Sequence, residues 1–210
     1  AITAALAAFQ LSETFAPFSS KFDAMLRGQA RLNAQEQRGQ SLFVIAQKGN
    51  CAACHTMNAD SSNPRESLFT DFSYHALGVP RNASIARRGD MDQGLCAGGR
   101  VTAGANDSRW CGWFKTPTLR NVALTAPYMH NGQFATLREA VAFYATRDTH
   151  PESWYPKGEK FDDLPPALRG NVDLELRPYH RKPGQRPALN DEEIDDIVAF
   201  LLTLTDGYAP

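Results

Sequence analysis

Hydrophobic positions recur with a helical period in four parts of the chain, and long polar stretches separate them. Residues 1–26 begin with an Ala-rich apolar run (Ala4, Ala5, Leu6, Ala7, Ala8, Phe9), which predicts one or two helices. Asn33, with Glu36 three positions on, makes a capping box. The helix it opens should carry Leu42, Phe43, Ile45 and Ala46 to a basic stop at Lys48-Gly49. A second box, Thr136 with Glu139, opens a helix whose Leu137, Ala140, Val141 and Tyr144 share one face. Asn190 opens the last helix, acidic at its dipole-positive end, with Ile194, Ile197, Val198, Leu201 and Leu202 as the buried stripe.

Between residues 60 and 121, and again between 150 and 188, this period is lost. Gly, Pro, Asn, Asp and Ser take over, which reads as loop with a few short turns. No repeat and no strand pattern is visible, so the fold class is all-α with much loop. A structureless stretch of that length is unusual in a compact domain. A large, flat, apolar cofactor for the loops to pack against would account for it.

Composition narrows the possibilities. The 210 residues are 42% apolar and 21% charged, with a net charge of −1. That balance, with no extended basic stripe, argues against nucleic acid as the main partner. The longest apolar stretches, such as Ile197 to Leu202, are far too short to span a bilayer.

The candidate chemistry lies in the cysteines. Cys51-Ala52-Ala53-Cys54-His55 is the attachment pattern of one haem c. Two thioether sulfurs are set apart by two residues, and the next His ligates the iron. A redox dithiol is the competing reading, but no βαβ context supports it. Haem c is attached outside the cytoplasm, so the protein is expected to be periplasmic, exported with its signal removed. That compartment favours a disulfide between the remaining Cys96 and Cys111 over two free thiols, and no zinc-type spacing accompanies them. The second iron ligand stays open at this point, among Met129, His130, Met91, Tyr144 and His75, with Met129 the simplest choice for a carrier cytochrome.

Three segments carry a resemblance: residues 69–80 (FTDFSYHALGVP), 115–122 (KTPTLRNV) and 125–132 (TAPYMHNG). Together, and in this order, they resemble the C-terminal haem domain of the bacterial dihaem cytochrome c peroxidase/MauG family, over roughly Asn33 to Tyr208. The resemblance implies a cytochrome c-like domain at 33–210. It also implies that residues 1–32 are a helical segment or linker, the end of a first haem domain absent from this chain. In the peroxidases the distal ligand is a Met fourteen residues after the histidine that matches His130. That position here is Tyr144, and MauG-type proteins carry a Tyr there. The resemblance therefore implies His55/Tyr144 ligation and a catalytic role for Tyr144. Hard, anionic phenolate oxygen stabilises high oxidation states and lowers the potential. Spacing alone would read Tyr144 as a core aromatic with its hydroxyl bonded.

The family also holds a calcium ion between its haem domains, and Thr125 and Pro127 match the residues that offer it backbone carbonyls. The implied function is a peroxidase- or MauG-type haem oxidoreductase. It would pass electrons to, or store an oxidising equivalent for, a second haem that reacts with hydrogen peroxide, and exchange them with a redox protein or a protein substrate. The family pattern has two CxxCH motifs and this chain has one, so a plain monohaem electron-transfer cytochrome is the alternative. Trp110, Trp113 and Trp154 read first as packing and second as electron-hopping stations. His75 reads equally as a satisfied buried His or a propionate contact. The glycosylation-like patterns at Asn82 and Asn106 are discounted.

Overall fold

A computed structural model describes residues 1–12, 14–85, 91–96 and 108–209. Five α-helices carry the fold: α1 (Ile2–Gln10), α2 (Lys21–Leu26), α3 (Ala34–Val44), α4 (Leu137–Thr146) and α5 (Asp191–Leu202). Short 3-10 turns and loops fill the rest. One two-residue antiparallel ribbon pairs β1 (Tyr74–His75) with β2 (Phe114–Lys115), in register Tyr74 to Lys115 and His75 to Phe114. The all-α expectation holds with that single addition.

The helix starts follow from local chemistry. Asn33, Thr136 and Asn190 each accept from the backbone N–H three residues on, and Glu36, Glu139 and Glu193 bond back to the cap N–H. Ser20 and Asp23 make a fourth box, at α2. The helix ends follow from packing. α3 stops at Val44 rather than running to Lys48-Gly49, because the chain folds back and the Gly49 N–H donates to the Leu42 carbonyl at 3.1 Å. A Cβ on Gly49 would stand 2.8 Å from that oxygen.

α3 and α5 form the central crossing. At Gly39 an added Cβ would lie 1.9 Å from the Asp196 carbonyl oxygen, so the two backbones approach as closely as glycine allows. Arg38 then clamps the buried Asp196 with two hydrogen bonds of 2.8 Å. Phe22, Phe43, Phe69 and Phe200 interlock in the core beneath, mostly edge to face. The stripe expected on α5 is therefore amended. Phe200 is fully buried, whereas Leu202 is 53% exposed, because the crossing turns the Phe200 side toward this cluster. α4 buries two sides at once: Leu137, Val141 and Ala145 on the main core, Ala140 and Phe143 on a second cluster with Val79, Phe134 and Phe161. α1, by contrast, buries no residue. No helix among the described residues is long and apolar enough to cross a membrane.

Candidate haem site

Cys51 opens a one-turn 3-10 helix, Cys51–Ala53, entered through Asn50 in a left-handed conformation (φ 51°). That tight turn places Cys51 and Ala52 against the α3–α5 core and brings His55 back onto the Cys51 carbonyl, 2.8 Å from its backbone nitrogen. The two thiols are unpaired. Burial pushes Cys51 up to about 12 and Cys54 up to about 11. A catalytic dithiol needs a depressed thiol pKa, so the redox-motif reading loses its chemistry here.

His55 Nδ1 lies 2.9 Å from the Phe69 carbonyl oxygen. A carbonyl can only accept, so Nδ1 carries the proton and Nε2 keeps its lone pair for a metal. Burial lowers the imidazole pKa, which keeps the ring in the neutral, ligating form. Phe69 sits at positive φ (54°) and is itself anchored from above. Arg120 packs over its ring, donates to the Ser67 and Pro64 carbonyls, and makes a two-bond ion pair with the fully buried Asp23.

Tyr144 lies on α4 near Cys51 and Cys54, and burial drives its phenol well above its usual range. Its hydroxyl has no hydrogen-bond partner among the described residues. An ordinary buried tyrosine looks different: Tyr155 donates to the Gly78 carbonyl at 2.5 Å. Tyr179 stacks on Tyr144, with ring centroids 6.1 Å apart. The fully buried Arg147 lies 3.9 Å over the other ring, held by Asp148 and by the Leu77 and Asp173 carbonyls. Two attachment thiols thus stand next to an imidazole in sequence and near an unpartnered phenol in space, and the imidazole Nε2 makes no hydrogen bond among the described residues. These residues fit a haem c.

The other candidates differ in their surroundings. Met129 packs against the second cluster. His130 bonds to Asp163 at 3.2 Å and stacks on Phe114. His75 is shared between Asp71 and Ser73, both at 3.0 Å, a satisfied half-buried His. Its Nε2 also lies within 4.8 Å of the Cys54 thiol. Met91 is half-buried, in the segment 91–96. Trp154 is a packing residue, its indole N–H bonded to Thr146 and its ring against Phe134 and Phe143. Trp110 and Trp113 pair edge to face at 5.3 Å beside a Cys96–Cys111 disulfide. Thr125, Ala126 and Pro127 are exposed, with a cis bond at Ala126-Pro127. Asn82 bonds to the Asn131 and Gly132 carbonyls, while Asn106 lies outside the described residues.

Arg120, Arg147 and Tyr179 were missed as site residues by sequence reasoning. Arg120 stands inside the recognised 115–122 segment, which was a usable signal. Tyr179 and Arg147 offered none, since Tyr179 falls in a loop without period and Arg147 ends its helix.

Residues 36–205 match the cytochrome c family. The chain is 38% identical over 98% of its length to the methylamine utilization protein MauG of Paracoccus denitrificans. It is 38% identical over 97% to the cytochrome c551 peroxidase of Nitrosomonas europaea. It spans about half the length of these relatives, 51% and 44% respectively. Among solved structures, the dihaem peroxidase BthA from Burkholderia thailandensis superposes with a TM-score of 0.86 and 48% identity, over 93% of this chain and 48% of that one.

Proposed function

This chain belongs to the cytochrome c family, and from that membership and the geometry of its site we propose that it is the His/Tyr-ligated haem domain of a MauG- or peroxidase-type oxidoreductase. The observation that carries the reading is the half-buried Tyr144 hydroxyl near Cys51 and Cys54, without a hydrogen-bond partner among the described residues. A haem held here supplies one-electron chemistry at iron. Cys51 and Cys54 would hold it covalently, and Phe69 orients His55 through Nδ1. Tyr144 offers a phenolate oxygen, which favours higher oxidation states, with the Arg147 charge easing its ionisation.

In this reading a second haem, on another domain or subunit, would be the one that meets peroxide, and Tyr144 would favour the oxidised form of the group held here. Residues 1–32 lead toward that second domain, and the exposed Ile2, Leu6 and Phe9 of α1 suit burial against it. The exposed Thr125 and Pro127 carbonyls suit a calcium site that the other domain completes. Haem attachment and the Cys96–Cys111 disulfide both belong to an exported, oxidising compartment.

Optical and EPR spectra of the ferric holoprotein test the reading. A six-coordinate, low-spin His/Tyr signature is expected. A thioether–iron band would overturn it in favour of a carrier cytochrome, and a five-coordinate high-spin iron would overturn the Tyr144 assignment.

A further inference from the structure

A near-neutral total charge conceals a local asymmetry. Four of the chain's 22 basic residues, Arg177, Arg181, Lys182 and Arg186, fall within ten positions, and no acidic residue occurs from Leu176 to Asn190. Arg177, Lys182 and Arg186 are exposed, as is His180 between them. None of the four cations forms an ion pair among the described residues; the nearby Glu193 is already bonded to Lys48. Arg186 is eased only by the more distant Glu193 charge, so the exposed segment carries a net positive charge that costs self-repulsion, and a surface of that kind suits an anionic partner.

Its position says what that use is. The segment is strapped onto the turn that leads into the haem motif: Asn50 Nδ2 donates to the Arg177 carbonyl at 2.9 Å, and Arg181 reaches the Gln47 carbonyl at 3.4 Å. On its inner side the same segment delivers Tyr179 against Tyr144. Val44 and Ile45, 45% and 41% exposed, stand at the start of that turn. An apolar centre rimmed by one sign of charge is how transient electron-transfer partners are steered and held.

We propose that the Arg177–Arg186 segment, with Val44 and Ile45, is the docking surface for a small acidic redox protein that delivers electrons to the haem held at Cys51 and Cys54. The proposal rests on the haem reading above and adds the partner's chemistry and its place of contact. One electron leaves the partner's reduced centre and converts one ferric iron to ferrous; no bond forms or breaks.

The test uses the haem-loaded protein and an acidic plant-type ferredoxin as probe. Reduced ferredoxin is mixed with the ferric protein in stopped flow between about 20 and 200 mM salt, a range over which screening weakens steering. Binding of oxidised ferredoxin is followed separately by NMR line broadening. For the native protein the rate and the broadening should both fall as salt rises. In the triple variant Arg177→Gln, Lys182→Gln, Arg186→Gln the low-salt rate should drop about tenfold and its salt dependence flatten. Its optical spectrum, and its reduction by a neutral deazaflavin radical, should not change. Arg181 is left intact because it braces the turn.

A triple variant that keeps the native rate and salt dependence overturns the proposal. Equal loss of binding to anionic lipid vesicles and to duplex DNA overturns it too, since the patch would then be a general polyanion surface. Failure of the haem reading would show instead in the ferric spectrum and would leave the binding measurement untouched.

Discussion

His55 Nδ1 donates to the Phe69 carbonyl across 2.9 Å, so which nitrogen of the motif histidine keeps its lone pair is set by a residue fourteen positions away. Phe69 holds its place because Arg120 caps its ring while pairing with Asp23 beneath. The orientation of His55 therefore depends on a buried ion pair to which it is not itself bonded.

Arg120→Met should be destabilising by about 3–5 kcal/mol, because Asp23 is left charged and fully buried. Urea unfolding checks the size. Adding Asp23→Asn to the same chain should return part of the loss, and a double variant no more stable than the single would show that the ion pair is not the cause.

Tyr144→Phe should convert the ferric spectrum from six-coordinate low-spin to high-spin, since it removes the oxygen and keeps the ring. Tyr179→Phe should leave the iron six-coordinate. Neither phenol has a hydrogen-bond partner among the described residues, so the pair of spectra decides which one reaches the metal.

Gly39→Ala should cost about 3 kcal/mol or more, at the upper end for overpacking, because the new Cβ meets backbone rather than a movable side chain. Thermal melting of the holoprotein measures it. A near-native melting temperature would mean that α3 and α5 sit further apart than described.

Replacing Cys96 and Cys111 together by Ala should remove about 3 kcal/mol, the loop-closure value for a ring of roughly fifteen residues. Reducing the native protein with a dithiol should reproduce that loss and have no effect on the double variant.

Acid should weaken the contact between α5 and the turn after α3. Burial pushes the Glu193 carboxyl up, but the Lys48 ammonium and the Asn190 N–H outweigh it and leave the group below the usual carboxylate range. A depressed carboxyl contributes stability above its unfolded pKa, about 4.3, and loses it as pH falls through the lower folded value. The difference in melting temperature between native protein and Glu193→Gln should therefore shrink between pH 6 and pH 3.

The sequence by itself determined the parts whose cause is local. The capping boxes at Asn33, Thr136 and Asn190 close within four residues, so the helix starts were readable. So was the haem motif, where one short segment carries both sulfurs and the imidazole. The Cys96–Cys111 bridge was readable from compartment and count. Tertiary structure decided what distant residues settle together. α3 ends at Val44 because Gly49 folds onto Leu42, and Phe200 rather than Leu202 is buried because of how α3 and α5 cross. The hold on His55 runs through Arg120 and Asp23, 97 residues apart in sequence. Tyr179 and Arg147 reach Tyr144 from a loop without period and from the end of a helix, because burial and charge act through space rather than along the chain.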